Sequence, residues 1–75
     1  MKTQKNAMEY KIKLEGYLGK DDETLFNNFK AEYTTEGDTV LIGSVIDQTE
    51  LHGILMRIRD LGLVLLMVQQ MNGER

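Results

Sequence analysis

There is no cysteine and no proline in these 75 residues, and there is a single histidine. The first absence excludes disulfides, thiolate metal sites and cysteine nucleophiles together, and it fits a reducing compartment. With one imidazole, a zinc site would have to draw nearly all its ligands from carboxylates. The second absence means that no residue contradicts a strand anywhere along the chain. Long apolar runs are missing too: the longest, Leu63 to Val68, has six residues, far short of the ~20 that a membrane span requires. Lys2 and Lys5 are not followed by an apolar core, so no signal peptide is expected. Twelve acidic against nine basic residues leave a net charge of −3. That balance argues against nucleic acid or an anionic membrane as a partner held by general electrostatics. The expectation is a cytoplasmic protein without a cofactor or a metal.

A chain this short allows one domain with a modest core, burying only about 60% of the surface it exposes when unfolded. With disulfides excluded, association with a second copy is the easiest way to add buried area.

What is present is clearest from Ile46 to Val68. Asp47 is placed as an N-cap, and Glu50 three residues on can reach back to the Asp47 N–H as in a capping box. Ile46 and Leu51 occupy the two positions of a hydrophobic staple. Leu51, Ile54, Leu55, Ile58 and Leu61 follow at helical spacing as one apolar stripe. Arg57 and Arg59 complement the negative end of the dipole, Gly62 is placed as C′, and Leu63 as C″ can cover Ile58. These signals predict a helix over 48–61. The period then changes, and Leu63 to Val68 reads as a strand apolar on both faces.

Upstream, Met8 to Leu18 alternates. Met8, Tyr10, Ile12, Leu14 and Leu18 share one face, while Glu9, Lys11, Lys13, Glu15 and Tyr17 share the other. Gly16 marks a bulge or a close backbone approach. A turn at 19–22 precedes a short helical segment, Glu23 to Asn28, that an Asp of the turn can cap. Phe29 to Thr35 and Thr39 to Ile46 read as strands joined around Glu36-Gly37-Asp38. The order β, short α, β, β, α, β predicts an α+β, ferredoxin-like fold. Its four-stranded, mainly antiparallel sheet runs in order 4-1-3-2 with the helices on one face. If the short segment is only a turn, the first three strands form a meander instead. The domain is expected over 8–71, with a disordered tail at 1–7 and a second tail at 72–75.

The helix-free face bears on assembly. With Val40, Ile42 and Ile46 facing the helix, Leu41 and Val45 fall on the other side, joined by Tyr17. One of two sets of the last strand, Val64/Leu66/Val68 or Leu63/Leu65/Met67, joins them, with Leu65 and Met67 the favoured candidates. Such an apolar patch is one that monomers usually avoid. A homodimer built on that face is therefore expected.

The residues Asp47-Gln48, Leu51-His52-Gly53, Leu55, Arg57-Ile58-Arg59-Asp60-Leu61-Gly62-Leu63 and Leu65-Leu66 resemble a C-terminal signature. It belongs to a group of small uncharacterised bacterial proteins and has the form Asp-Gln-x-x-Leu-His-Gly-x-Leu-x-x-Ile-Arg-Asp-Leu-Gly-Leu. The resemblance extends more loosely over Met8 to Val68. Val64 stands where those proteins often have Pro, which predicts more regular pairing of the last strand. Phe replaces Trp in the short helical segment. The resemblance implies bacterial origin and a shared fold, and no activity.

No catalytic constellation emerges. Ser44, the only serine, lacks a nucleophile elbow, the seven glycines form no phosphate loop, and Asp21-Asp22-Glu23 lacks a Ca²⁺-loop pattern. Gln48, His52, Met56 and Arg59 lie along one flank of the helix stripe. They read either as a ligand or partner site or as a solvated border of the core. Gly53, nearly opposite the stripe, either admits a close neighbour or is merely tolerated. Arg57, Glu50 and Asp60 read as a surface charge network. The leading expectation is a non-enzymatic interaction module that self-associates. A small-molecule-sensing regulatory domain, with ligand at a subunit interface or on the His52/Arg59 flank, is the alternative.

Overall fold

The computed structural model describes residues 8–26 and 28–71; the tails expected at 1–7 and 72–75 lie outside the described residues. Strands β1 (Met8–Glu15), β2 (Phe29–Tyr33), β3 (Asp38–Val45) and β4 (Leu65–Gln70) form one sheet. Helix α1 (Lys20–Glu23) runs into a 3-10 turn at Thr24–Phe26, and α2 (Gln48–Asp60) joins β3 to β4. The neighbours run β2-β3-β1-β4, and every adjacent pair is antiparallel. That is the expected 4-1-3-2 counted from the other edge. The meander alternative is overturned, because β3 rather than β2 lies beside β1.

β1 is central, and its alternation fixes the two faces. Ile12 and Leu14 are buried against the helices together with Tyr10. The strand ends at Glu15 rather than Leu18. Gly16 takes φ +86° and turns the chain, returning Leu18 to the core. Thr39, fully buried, holds this turn. Its hydroxyl donates to the Gly16 carbonyl at 2.7 Å and accepts from the Leu18 N–H at 3.2 Å. The segment after the turn starts earlier than expected, at Lys20, because Gly19 in an extended conformation supplies the N-cap. Its carbonyl accepts from the Asp22 and Glu23 N–H groups. The Asp residues sit inside the first turn rather than capping it.

One expectation about β3 is reversed. Register pairs Ile12 with Leu41, Leu14 with Thr39 and Met8 with Val45, and directly opposed residues point to the same side. Leu41 and Val45, each 1% exposed, therefore lie in the core under the helices. Val40 and Ile42 take the open face, and Ile46 is exposed in the loop after β3. The branched set Val40, Ile42, Ile46 has the more apolar composition, whereas the opposite set contains Thr39 and Gly43. Both of those have structural work: Thr39 anchors the Gly16 turn, and Gly43 makes room for Phe29.

α2 follows its local signals closely. Asp47 Oδ1 accepts from the Glu50 N–H at 2.9 Å. Glu50 reaches back to the Ile46 N–H at 2.7 Å, one residue earlier than a capping box predicts. Ile46 is 70% exposed, so the staple with Leu51 is not closed. At the other end Leu63 N–H donates to the Ile58 carbonyl and Gly62 N–H to the Arg59 carbonyl, with Gly62 at φ +79°. These two bonds make a Schellman motif. Leu51, Ile54 and Ile58 are buried, while Leu61 is exposed. β4 begins at Leu65 and is not regular: Leu14 pairs with Leu65 but Lys13 with Met67. Leu66 bulges at that step, so a backbone donor at Val64 does not make the pairing regular.

Candidate functional site

The expected self-association face is dispersed. Leu41 and Val45 are core residues. Tyr17 turns aside: its ring meets Tyr33 edge-on at 5.0 Å and its hydroxyl donates to the Thr34 carbonyl, tying the Gly16 turn to the β2–β3 hairpin. Tyr33 in turn donates to the Glu23 carboxylate. Leu65 pairs with the buried Leu14 and so belongs to the helix side. Only Met67 lies on the open face. Two cross-strand rows define that face: Lys30, Ile42, Lys11 and Gln69, then Glu32, Val40, Lys13 and Met67. Charged side chains interrupt the apolar ones in both, so the patch is not contiguous.

A row of exposed apolar side chains lies instead at one edge of the sheet. Along β4, Leu65, Leu66 and Val68 are exposed, with Val64 and Met71 at its two ends. β4 is an edge strand, and its residues from Leu65 to Gln70 include no charge. The Met71 N–H donates to the Glu9 carbonyl at 2.7 Å. By the alternation of an antiparallel ladder, the backbone groups of Val68 and Gln70 then point away from β1. The opposite edge, β2, differs: it carries exposed Lys30 and Glu32. Charge of that kind blunts an edge against further pairing.

The predicted flank of α2 is solvated. Gln48, His52, Met56 and Arg59 are all exposed, and Arg59 forms a surface ion pair with Asp60 at 3.6 Å. Gly53 belongs elsewhere. It lines a cleft of about 440 Å³ between α2 and the 3-10 turn, together with Leu25, Phe26, Ile54, Glu50 and Arg57. Two bonds span the cleft: Arg57 Nη1 donates to the Leu25 carbonyl at 3.0 Å, and Asn28 Nδ2 donates to Glu50 Oε2 at 3.2 Å. The expected network of Arg57 with Glu50 and Asp60 is not formed: Arg57 bonds to the Leu25 carbonyl, Glu50 to Asn28, and Asp60 pairs with Arg59. A second hollow of about 270 Å³ lies across Phe26 and Phe29, against Ala31 and Leu41. The two recesses flank a helical segment too short to cover its half of the sheet.

A family model described as Domain of unknown function (DUF8691) matches residues 9–69. The chain belongs to that family. No curated protein and no solved structure matches it. The family domain runs from β1 into β4, so it takes in the whole of α2, the cleft and most of the uncharged edge. No helix among the described residues is long and apolar enough to cross a membrane.

The family domain's cleft was only partly visible in the sequence. Gly53 stands out as a helix-interior glycine, and Arg57 follows it one turn later on the same face. Nothing in the sequence marks Leu25 as the partner of Arg57, 32 residues away.

Proposed function

We propose that this chain is a non-enzymatic interaction module that pairs with a second copy of itself along β4. The observation that carries this is the uncharged, apolar, unpaired edge of β4, set against the charged edge of β2. A two-fold axis at Val68 would place Val68 opposite its copy and Leu66 opposite Gln70, with no like charges opposed. Such pairing satisfies the outward backbone groups and continues the sheet across both subunits. Covering several hundred Å² at ~25 cal/mol per Å² contributes several kcal/mol before association costs. The interface is thus displaced from the open face to the edge, keeping Leu65 and Met67 of the expected set.

Sedimentation velocity tests this reading. The full chain is expected to be a dimer whose melting temperature rises with concentration, and Val68→Lys a folded monomer whose melting temperature does not. A wild-type chain that sediments as a monomer at high micromolar concentration rejects it.

The finer architecture belongs to the same proposal. Strand order and antiparallel pairing support a ferredoxin-like plan whose first helix has shrunk to α1 and its 3-10 extension. The absence of cysteine and the acidic balance support a cytoplasmic protein without nucleic-acid or membrane partners. The resemblance described above supports bacterial origin. A small-molecule-sensing domain is the second reading, favoured by the cleft beside Gly53 rather than by the His52/Arg59 flank. A metabolite thermal-shift screen separates the two: stabilisation lost in Gly53→Ala favours sensing.

A further inference from the structure

The cleft between α2 and the 3-10 turn has a chemical polarity along its length. At one end Glu50 has both carboxylate oxygens occupied, Oε1 by the Ile46 N–H and Oε2 by Asn28 Nδ2. At the other end Arg57 spends one donor on the Leu25 carbonyl at 3.0 Å. A guanidinium has further donors to offer, and no carboxylate among the described residues lies within ion-pair distance of Arg57. The Leu25 bond holds the guanidinium at the rim, which lowers the entropy of using it again. Between the two ends the wall carries Leu25, Phe26 and Ile54, of which Leu25 is the exposed one.

Gly53 is the second observation. A helix-interior glycine is less favourable than alanine, and a Cβ at Gly53 would meet nothing within 4 Å. Neither packing nor a positive φ requires glycine there. What a methyl group would do is occupy the cleft, because Gly53 lines it. Gly53 and Arg57 are one helical turn apart, about 6 Å along the axis. A ligand that sets an anion on Arg57 and an apolar body over Gly53 therefore needs a single ring or a short chain. The Glu50 carboxylate repels a second anion at the far end.

We propose that this cleft binds a small amphipathic carboxylate, its carboxylate on Arg57 and its apolar body over Gly53 against Leu25 and Ile54. The proposal rests on the small-molecule reading and names its ligand class; it is independent of pairing along β4. Its volume, about 440 Å³, falls within the usual range for small-molecule sites.

The test is an NMR titration of the full ¹⁵N-labelled chain with phenylacetate, and in parallel with the neutral phenylacetamide. Saturable shifts at Gly53, Ile54 and the Arg57 side chain are expected with phenylacetate, at millimolar affinity. Phenylacetamide should bind about tenfold or more weakly. Gly53→Ala should remove binding while the melting temperature holds or rises, and Arg57→Gln should weaken phenylacetate to the level of the amide. Shifts that never saturate, or that spread evenly over the surface, overturn the proposal. So does binding that survives in Gly53→Ala. Equal binding of acid and amide overturns the carboxylate assignment yet leaves a ligand-sensing cleft standing, so the two failures are distinguishable.

Discussion

Gly43 and Phe29 interlock across the β2–β3 pair: a Cβ on Gly43 would fall 2.7 Å from Phe29 Cγ and 2.8 Å from its Cα. The same atom would lie 2.3 Å from the Asn28 carbonyl oxygen. Two of these three neighbours are backbone, so they cannot rotate away. Gly43 is required for space and not for conformation, since its φ is not positive. Gly43→Ala should destabilise the fold by about 1–3 kcal/mol, the usual range for overpacking. Phe29→Ala in the same chain should not rescue it, because the Asn28 oxygen remains. Urea denaturation of the single and double variants checks both statements.

Thr39 occupies a core position that apolar residues would ordinarily fill. Thr39→Val keeps its shape and removes both the bond to the Gly16 carbonyl and the acceptor for the Leu18 N–H. Leaving buried groups unpaired costs about 1–3 kcal/mol, so the variant should lose that much. The loss should be local as well as global. Hydrogen exchange at the Leu18 amide should accelerate more than exchange at Ile12, which sits in the paired centre of β1. Equal acceleration at both amides would show that the hydroxyl does not hold the turn.

How far each feature could be read from the sequence follows the range of its cause. The ends of α2 depend on residues within a turn of each other, and Asp47, Gly62 and Leu63 all do what their order indicates. The strand order was legible because element order and crossover handedness leave few arrangements. The inner face of β3 was not legible. It depends on pairing Ile12 with Leu41, and a slip of one residue exchanges the two faces. A threonine and a glycine in the buried set disguise it further. The cleft was hidden for the same reason: Gly53 and Arg57 were visible on one helix, but the wall opposite them comes from Leu25 and Phe26.

Gly53 and Gly62 should respond to alanine with opposite signs. Gly62 sits at φ +79° in the Schellman motif, where an L side chain is strained. Gly62→Ala should therefore cost about 1 kcal/mol. Gly53 has helical geometry and open space around its ideal Cβ. Gly53→Ala should stabilise by up to about 1 kcal/mol through helix propensity alone. Thermal melts of the two variants beside the wild type decide it. A loss of stability in Gly53→Ala would mean that a neighbour already fills the space above that position.

The contrast between the two edges of the sheet predicts what happens when it is erased. β2 is a short edge strand that carries two exposed charges of opposite sign, Lys30 and Glu32. Neither lies in the core, and their cross-strand partners Ile42 and Val40 are apolar. Lys30→Val with Glu32→Val should therefore leave the fold intact and turn β2 into a second uncharged edge. A subunit with one such edge closes into a pair about a two-fold axis. A subunit with two such edges can propagate without closing. The double variant should form open assemblies larger than a dimer, growing with concentration in light scattering. Adding Val68→Lys should cut them back to finite species by restoring a charged edge at β4. If the double variant sediments as the wild type does, charge on β2 is not what keeps that edge free.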